Sequence, residues 1–473
     1  MQEIKFGTEG WRGVIAENFT FGNVKIVAQA IADYVNEAKK SDHQKKMMVG
    51  YDTRFLSKQF AETVAATLAA NGMQVFLTDK PTPTPAVSFV VKKEKLSAGV
   101  MVTASHNPPR YNGIKFKADF GGSATSEIVE KIEEKLYKNS VKEGIFSDLL
   151  GSKTIQKRDI TPDYLRFMRS YIDMKLLKRH KAKVLVDVMY GVSNGYMEDV
   201  LSPTRHKVTI MHNKIDPNFG GINPEPIEIN LGELIRTTKS GRFDIGIAID
   251  GDGDRVGAAT PDGKILSSHK ILALLLLHYI EDRRWTGSVV KTISGSTLIN
   301  KICRKYNLKM HETPVGFKKV CEIMLKENVL IGGEESGGIG FKGYIPERDG
   351  MLSGLLLLEM MAHRNKGILE ILKNIEKEYG SFEYARQDLK FPLDKKDRLV
   401  SRLKSKPLKT ILNRQVIELK TYDGIKHICD DESWLLFRFS GTEPILRVYA
   451  EAPSLRRARN MVEFGKELAF SIK

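Results

Sequence analysis

The stretch FDIGIAIDGDGDR, from Phe243 to Arg255, joins a run of apolar residues to a loop of alternating aspartates and glycines. A continuous apolar run is typical of a strand in a parallel sheet, because helices cover both faces of such a sheet. In open α/β sheets, the loops that bind ligands lie just beyond the carboxyl ends of the strands. The stretch therefore predicts a buried strand that carries three carboxylates to a functional edge of a sheet.

The same pattern recurs along the chain. Three more apolar runs end in loops rich in glycine, serine or aspartate: KAKVLVDVMYG at 181–191, SVVKTISGS at 288–296 and NVLIGGEESGG at 328–338. Near the N-terminus, strand-like KKMMVGYD and MQVFLTD flank an alanine-rich helical segment from Phe60 to Ala70. Strands that alternate with helices indicate an α/β fold. We predict three similar α/β domains with mixed sheets and a smaller C-terminal α+β domain.

Chain length and local composition suggest where these domains begin and end. A chain of 473 residues is too long for a single hydrophobic core. Breaks are expected after a mixed polar stretch, at a Pro-Asp-Gly turn and in a charged segment that ends at Gly380. The predicted domains are 1–155, 156–260, 261–376 and 377–473.

The overall charge points to acidic partners. The formal net charge is +16, whereas the apolar fraction of 41% and the charged fraction of 28% are ordinary for a globular protein. Such a balance favours nucleic acid, an anionic membrane or small phosphorylated substrates. The basic residues are dispersed and form no nucleic-acid motif, so we expect no nucleic-acid partner. The longest apolar run, Ile271 to Leu277, is far too short to span a membrane.

The cysteines and the N-terminus indicate the compartment. Cys303, Cys321 and Cys429 are widely spaced and match neither a disulfide framework nor a zinc site. The first residues, MQEIKFGTEGWRG, lack the apolar core of a signal peptide. We therefore expect a cytoplasmic protein with no membrane association.

The DGDGD loop predicts a metal site. Asp250, Asp252 and Asp254 alternate with glycines, so an extended loop turns all three carboxylates to one side. Three like charges there need a cation, and carboxylate oxygens suit Mg²⁺ or Ca²⁺. An EF-hand loop starting at Asp250 needs glycine at its sixth position and glutamate at its twelfth, where this chain has Arg255 and Pro261. Magnesium is thus favoured, and it commonly shares its ligand shell with phosphate oxygens.

A second loop, MVTASHNPPRYNGIKF at 101–116, holds a candidate phosphate carrier. Ser105 stands directly before His106, which is not the arrangement of a hydrolase. A phosphorylated Ser105 would bring about −1.5 to −2 charges and three acceptor oxygens, one of which could complete the metal's shell. His106 and Lys115 would then handle protons or pair with charge. Taken alone, the serine could equally be a turn or helix-cap hydroxyl.

Three other loops carry groups that bind anions or hydroxyls. In RFSGTEPILR at 438–447, small residues let the backbone approach an anion, and Arg438 and Arg447 can grip phosphate. GGEESGG at 332–338 offers carboxylates and a hydroxyl suited to the vicinal hydroxyls of a sugar. FGTEGWRG, near the N-terminus, places Arg12 in a glycine-rich loop. Each of these could be an ordinary turn when taken alone.

In combination the motifs are highly specific. FGTEGWRG, TASHNP, DGDGDR, GEESGG and RFSGTEP, in this order, closely resemble the motifs of the α-D-phosphohexomutase superfamily over essentially the whole chain. The resemblance implies four domains around a central active-site cleft, each contributing one loop. It also implies a phosphorylated serine at Ser105, a bound Mg²⁺, and a hexose 1,6-bisphosphate as intermediate and activator.

The resemblance further assigns roles to individual residues. Glu334 and Ser336 match the residues that hold sugar O3 and O4, and the loop 438–447 matches the one that grips the non-reacting phosphate. The implied catalytic residues are Ser105, His106, Lys115 and Arg12, and the implied metal ligands are Ser105, Asp250, Asp252 and Asp254. The implied substrate-binding residues are Arg255, Lys291, Gly316, Glu334, Ser336, Arg438, Ser440, Gly441, Thr442 and Arg447.

The implied activity is reversible phosphoryl transfer between the C1 and C6 hydroxyls of a hexose phosphate. A histidine common in members that accept both glucose and mannose is replaced by Phe317, and the doubled glutamate of GEESGG is closer to glucose-type mutases. Glucose phosphate is therefore favoured, with mannose phosphate as a second substrate. A phosphoglucosamine mutase and a phosphopentomutase are alternatives in the same superfamily, and a magnesium-dependent sugar phosphatase or a non-enzymatic binder is more remote. We expect a monomer or homodimer whose partners are small sugar phosphates.

Overall fold

A computed structural model of the chain describes residues 4–7, 9–38, 45–439 and 444–471. The chain divides into two compact units, one formed by Met1–Thr286 and Gly316–Leu369 and the other by Gly287–Val315 and Glu370–Lys473. Among the described helices, none is long and apolar enough to cross a membrane. All three cysteines are buried free thiols, in agreement with the absence of a disulfide pattern.

The N-terminal part of the first unit is a six-stranded mixed sheet with helices. Its elements are β1 (Trp11–Val14), α1 (Phe21–Ala38), β2 (Lys46–Tyr51), α2 (Ser57–Ala70), β3 (Gln74–Thr78), α3 (Thr84–Lys93), β4 (Ala98–Val102), β5 (Tyr111–Ala118), α4 (Ser126–Glu133), α5 (Phe146–Gly151) and β6 (Ile155–Arg158). The strand order is β1-β5-β4-β2-β3-β6. Neighbouring strands from β4 to β6 pair in parallel, and β5 is antiparallel to both of its neighbours.

The burial of β2 explains why its sequence is a continuous apolar run. Met47, Val49 and Tyr51 alternate along β2 and share one core cluster with residues of α1 and α2. Helix α3 also packs against β2 and β4. A strand enclosed by helices in this way needs apolar residues at nearly every position.

The stretch that follows contains the loop with which the sequence analysis began. Its elements are α6 (Thr161–Tyr171), α7 (Met174–Arg179), β7 (Lys183–Asp187), α8 (Tyr196–Leu201), β8 (Lys207–Met211), α9 (Gly232–Ser240), β9 (Ile245–Ile249), β10 (Val256–Ala259), β11 (Ile265–Leu266) and α10 (Ser268–Leu277). The strand order is β11-β10-β9-β7-β8, with β9, β7 and β8 parallel and β10 antiparallel to β9. All five residues of β9 are buried, and the aspartate loop follows directly, as predicted.

Residues 288–379 continue the alternation of strands and helices. In chain order they form β12 (Ser288–Thr292), α11 (Thr297–Lys305), β13 (Met310–Thr313), α12 (Phe317–Met324), β14 (Val329–Gly333), β15 (Ile339–Phe341), α13 (Gly350–Arg364) and α14 (Ile368–Tyr379). The charged segment expected to be a break belongs to α14. Ile368, Ile371 and Ile375 recur at helical spacing and are buried, so one apolar face stabilises the helix despite its charges.

The C-terminal part is an α+β fold, as predicted. Its elements are β16 (Glu383–Lys390), α15 (Leu393–Ser405), β17 (Thr410–Ile411), β18 (Arg414–Lys420), β19 (Ile425–Cys429), β20 (Trp434–Phe439), β21 (Ile445–Ala452) and α16 (Leu455–Ser471). The sheet is antiparallel in the order β16-β21-β20-β19-β18-β17, and α16 packs on β16 and β21. The exact boundaries proposed from sequence at 155, 260 and 376 stay a prediction.

His427, on β19, makes this sheet sensitive to acid. Its ring is fully buried and packs edge to face on Phe437, and neither ring nitrogen has a hydrogen-bond partner in the described part of the chain. Burial lowers the pKa of the imidazole to about 4. An unfolded chain holds the proton with a pKa of about 6.5. The stability contributed by neutral His427 is therefore complete above about pH 6.5 and is lost as the pH falls towards 4.

Replacing His427 by leucine should weaken this pH dependence. We expect the unfolding free energy of His427→Leu to fall by about 2 kcal/mol less than that of the wild type between about pH 7 and about pH 4.5. Urea unfolding followed by fluorescence at several pH values measures the difference. His363→Gln, at an exposed histidine, is the control and should titrate like the wild type. An unchanged acid response in His427→Leu would contradict the prediction.

Candidate active site

Ser105 follows β4, in a turn that aims its side chain at the aspartate loop. The residue has a positive φ of 54°, a conformation that is strained for residues with a side chain. Its backbone nitrogen donates to Thr103 Oγ1 at 2.8 Å, which helps to hold the turn. The buried Ser105 Oγ donates to Asp250 Oδ2 at 3.1 Å. The fold thus joins two loops that lie far apart in the sequence.

Arg54, which the sequence analysis did not single out, fixes the shape of the Ser105 loop. Its guanidinium donates to the backbone carbonyls of Ser105 and Asn107, each at 2.6 Å, and to two further carbonyls of the loop at 2.9 and 3.1 Å. Its Nε pairs with Asp52 Oδ2 at 3.2 Å. The available signal was the polar residues Thr53 and Arg54 directly after the strand-like KKMMVGYD segment, because polar residues there lie at the ligand-binding edge of the sheet.

The three aspartates come together directly after β9. Asp250, Asp252 and Asp254 are fully buried, and one carboxylate oxygen of each lies within 4.8 Å of the others. Asp250 Oδ1 accepts from the backbone nitrogens of Asp254 at 2.9 Å and Arg255 at 3.0 Å, which curls the loop around its first carboxylate. The alternation with glycine therefore gathers the carboxylates as the sequence predicts.

Lys115 is a counter-ion of this cluster. Its Nζ lies 2.7 Å from Asp252 Oδ2 and 2.9 Å from Asp254 Oδ2. Burial opposes ionisation, but Lys115 beside Asp252 and Arg348 beside Asp254 hold the pKa of both carboxyls below the usual range. Burial and the two neighbouring carboxylates raise the pKa of Asp250 well above it. Asp252 and Asp254 are thus anions inside the protein, whereas Asp250 resists ionisation unless more positive charge is nearby.

The donor set fits a divalent cation. Asp252 Oδ1 and Asp254 Oδ1 are buried, and neither has a hydrogen-bond partner among residues 4–7, 9–38, 45–439 and 444–471. A buried carboxylate oxygen without a hydrogen bond is unfavourable, and the cation nearest to Asp254 Oδ1, Arg255 Nε, is 3.8 Å away, so these oxygens are suited to bind a metal ion. Mg²⁺ prefers one or two carboxylates together with phosphate oxygens, which this loop beside Ser105 can offer.

His106 and Arg12 lie at the same loop. His106 Nδ1 is 3.4 Å from Ser105 Oγ. Burial, with Arg255, Arg12 and further cations nearby, lowers the pKa of His106 well below its usual value. The imidazole is therefore neutral at neutral pH, and the same burial and cations make its protonated form unfavourable. Arg12, on β1, donates from Nη1 to Asn107 Oδ1 in the Ser105 loop.

The turn after β14 is connected to the aspartate loop through the backbone. Val256 N donates to Gly337 O at 3.0 Å, and Arg255 and Gly338 form an isolated antiparallel bridge. Gly337 has a φ of 90°, and a Cβ there would lie 2.3 Å from Val256 O. A glycine is therefore needed for this close approach, which holds the GEESGG turn beside DGDGD.

Three predicted substrate-binding side chains project from these two loops. Glu334 accepts from Arg348 Nη1 at 3.4 Å, and burial raises its pKa to about 7 although Arg348 acts in the opposite direction. Ser336 Oγ is buried without a hydrogen-bond partner among the described residues. Arg255 donates to Glu225 Oε1 at 3.5 Å. Polar atoms that are buried or weakly paired in this way are suited to receive a ligand.

The remaining predicted substrate-binding residues lie on other elements of the two units. Gly316, with a φ of 129°, directly precedes α12 in the first unit. Lys291 lies on β12 in the second unit, where its Nζ donates to two loop carbonyls at 3.2 Å and pairs with Glu312 Oε2 at 3.3 Å. Also in the second unit, Arg438 Nε donates to the Asp423 carboxylate at 3.1 and 3.2 Å. Arg447 Nε lies 3.3 Å from the Asp388 carboxylate. Ser440, Gly441 and Thr442 lie outside the described residues.

Comparison with known protein families decides the assignment. Four phosphoglucomutase/phosphomannomutase domain families match the chain: alpha/beta/alpha domain I over residues 3–143, domain II over 162–263, domain III over 267–379 and the C-terminal domain over 400–466. The chain belongs to the phosphoglucomutase/phosphomannomutase family. Three α/β domains and a C-terminal domain are the predicted fold class, and the resemblance to the α-D-phosphohexomutase superfamily is confirmed.

Three relatives each match at least 90% of the length of this phosphohexomutase. The phosphoglucomutase/phosphomannomutase of Thermococcus kodakarensis is 29% identical, over 98% of both chains. The phosphoglucosamine mutase of Methanococcus vannielii is 31% identical, over 90% of this chain and 93% of its own. The crystal structure of a candidate phosphomannomutase from Thermus thermophilus superposes with a TM-score of 0.87 at 33% identity, over 99% of both chains. This phosphohexomutase is therefore an isomerase, whereas its relatives differ in the sugar that their names give.

The structure of this phosphohexomutase also brings into the site two residues to which the sequence analysis gave no role, Glu9 of FGTEGWRG and Arg348. Glu9 pairs with Lys115 at 3.5 Å and with Arg348, and these cations, acting against burial, lower its pKa to about 2. Arg348, between β15 and α13, contacts carboxylates of three loops. Both residues act through pairs distant in sequence, for which local spacing gives no signal.

Proposed function

We propose that this phosphohexomutase interconverts the 1-phosphate and 6-phosphate of a hexose, with glucose phosphate preferred, through a phosphorylated Ser105. One observation carries the proposal. The buried Ser105 Oγ donates to an aspartate of a three-carboxylate cluster in which two oxygens have no described hydrogen-bond partner. A serine placed against metal-type carboxylates is suited to carry a phosphoryl group, whereas a hydrolytic serine needs an oriented base.

The residues around Ser105 have complementary roles in the proposed reaction. Asp250, Asp252, Asp254 and an oxygen of phosphorylated Ser105 would hold Mg²⁺, which neutralises charge on the transferring phosphoryl group. Lys115 keeps Asp252 ionised, and Arg348 together with Lys115 keeps Asp254 ionised. His106 Nδ1 lies 3.4 Å from Ser105 Oγ, so the neutral imidazole can pass the proton of the attacking sugar hydroxyl to the leaving Ser105 Oγ.

The phosphoryl group moves twice in each turnover. Phosphorylated Ser105 first donates its phosphoryl group to the free C1 or C6 hydroxyl of the sugar, and Arg12 stabilises the charge that spreads over the transferring oxygens. The product is a hexose 1,6-bisphosphate, which turns over before its other phosphate returns to Ser105. The bisphosphate also serves as the activator that phosphorylates a resting enzyme.

Substrate binding uses the other loops. Glu334 and Ser336 bind the O3 and O4 hydroxyls, and Arg255 and Gly316 complete the sugar site of the first unit. Lys291, in the second unit, is a further substrate-binding residue. Arg438, Arg447 and residues 440–442 bind the phosphate that is not being transferred. Since glucose, mannose and glucosamine differ at C2, these groups do not separate them, and the preference for glucose rests on the doubled glutamate of GEESGG. We further propose that the enzyme acts in the cytoplasm as a monomer or homodimer.

Two measurements test the proposal together. Incubation with glucose 1,6-bisphosphate and Mg²⁺ should add one phosphoryl group, which peptide mass spectrometry should locate on Ser105. Steady-state assays on the 1-phosphates of glucose, mannose, glucosamine and ribose should give the highest kcat/KM for glucose. A highest value for glucosamine or ribose would replace the substrate assignment, and release of free phosphate without isomerised sugar would indicate a phosphatase.

A further inference from the structure

Arg348 connects three loops of the first unit. Its side chain is 2% exposed and lies between β15 and α13. Nη2 lies 2.5 Å from Asp254 Oδ2 and also pairs with Glu9 Oε1. Nη1 lies 3.4 Å from Glu334 Oε2. One guanidinium thus touches a proposed metal ligand, the N-terminal loop and the proposed sugar-binding carboxylate.

Packing against Phe317 and Gly338 fixes the orientation of the Arg348 guanidinium. The ring of Phe317 lies under it, with 5.3 Å between Arg348 Cζ and the ring centroid. Phe317 is fully buried, so this residue supports Arg348 instead of facing a sugar. Gly338 leaves room for the arginine stem, because a Cβ there would lie 2.1 Å from Arg348 Cδ. The Phe317 ring contacts the face of the guanidinium, and the carboxylates contact its edges. A planar group held in this way fixes the positions of the carboxylates it binds.

The charge of Arg348 matters as much as its shape. Glu334 is buried, and its pKa of about 7 already includes the opposing effect of Arg348. Without the guanidinium, burial would favour the protonated acid still more strongly. A protonated Glu334 has less capacity to accept hydrogen bonds from two sugar hydroxyls.

We propose that Arg348 is a positioning residue that holds Glu334 at a fixed distance from the aspartate loop. The proposal rests on the proposed function, since it assumes that Glu334 binds the sugar and that Ser105 beside the aspartates carries the phosphoryl group. The backbone bridge between residues 255 and 338 aligns the two main chains. Arg348 aligns their side chains, so that the sugar hydroxyl meets the phosphoryl group in line during both transfers. Misplacement by about 1 Å can lower a rate by about 100-fold.

A double-mutant cycle tests this coupling. The variants are Arg348→Gln, Glu334→Gln and the double variant, assayed for kcat and KM with the best hexose 1-phosphate of the wild type. We expect Arg348→Gln to lower kcat/KM by about 100-fold. If Arg348 acts through Glu334, the double variant loses clearly less than the product of the two single losses, because only the part of the Arg348 effect that runs through its contact with Asp254 remains in the Glu334→Gln background. Multiplying effects of the two single substitutions would overturn the proposal.

Two further variants keep the outcome interpretable. Arg348→Lys retains a charge but not the fork, and we expect it to fold and to lose at least about tenfold in kcat/KM, again without multiplying the effect of Glu334→Gln. If Arg348→Gln does not fold, this variant decides, and wild-type kinetics for Arg348→Lys would refute the positioning role. Arg364→Gln, which removes ion pairs to Glu281 and Asp282, is the matched control and should leave kcat unchanged. Failure of the proposed function would instead appear as a wild type without turnover.

Discussion

Ser105→Ala should lower kcat for isomerisation of the hexose phosphate by about 10⁴-fold or more, because removal of a group that carries the covalent intermediate abolishes the main path. The fold should persist. The Arg54 contact to the Ser105 carbonyl and the Thr103 contact to the Ser105 nitrogen involve the backbone, which alanine retains. A coupled assay of glucose 6-phosphate formation measures the loss. Intact mass after incubation with glucose 1,6-bisphosphate should show no added phosphoryl group.

Ser353→Ala is a matched control for this experiment. Ser353 is a buried serine on α13 whose Oγ donates to the Asp349 carbonyl at 2.6 Å. Its loss should leave turnover within about twofold of the wild type, since the residue makes a local hydrogen bond of about 1 kcal/mol. Near-normal turnover by Ser105→Ala would eliminate the phosphoserine mechanism, and phosphorylation at another residue of that variant would relocate it.

Lys115→Met should destabilise the folded protein by about 3–5 kcal/mol in the presence of a chelator, because breaking a buried ion pair leaves charge uncompensated. Asp252 loses its nearest cation, at 2.7 Å, and Asp254 loses one of its two cations, at 2.9 Å, while Arg348 Nη2 stays 2.5 Å from it. Added Mg²⁺ should raise the urea midpoint of the variant more than that of the wild type, since a bound cation replaces the missing charge. Activity should fall as well, because the alignment of the aspartate loop depends on the same pairs.

Lys131→Met provides the comparison at the surface. Lys131 forms an exposed ion pair with Glu127 one helical turn away. Pairs in water contribute little to stability, so this variant should unfold at nearly the same urea concentration as the wild type, with or without Mg²⁺. An equally small effect of Lys115→Met would show that Lys115 is not needed to balance the aspartates.

Much of this molecule is readable from local patterns. Continuous apolar runs identify β2, β7, β9 and β14 because parallel strands are covered on both faces. The loops after these strands hold most of the candidate residues, in line with the rule for open α/β sheets. The alternation of Asp250, Asp252 and Asp254 with glycines predicts a carboxylate cluster, which the structure contains. In each case a few neighbouring residues are sufficient to predict the strand, the loop or the carboxylate cluster.

Helix α14 shows where such local inference fails. The charged residues of this segment suggest a break between domains. The helix is stabilised by Ile368, Ile371 and Ile375, which are buried on its opposite face. Periodicity over the full segment would have identified the helix, since these residues recur at intervals of three and four.

The sequence by itself determined the fold class and the family motifs and singled out Ser105 as the candidate phosphate carrier, because strand periodicity and loop composition are local properties. Only the tertiary structure decided which charges neutralise one another. Arg54 holds the Ser105 loop, Lys115 and Arg348 balance the aspartates, and Phe317 supports Arg348. A side chain's partner tens of residues or more away in the sequence is chosen by the packing of whole elements. Burial then makes each pair strong, since a carboxylate removed from water must find its cation inside the protein.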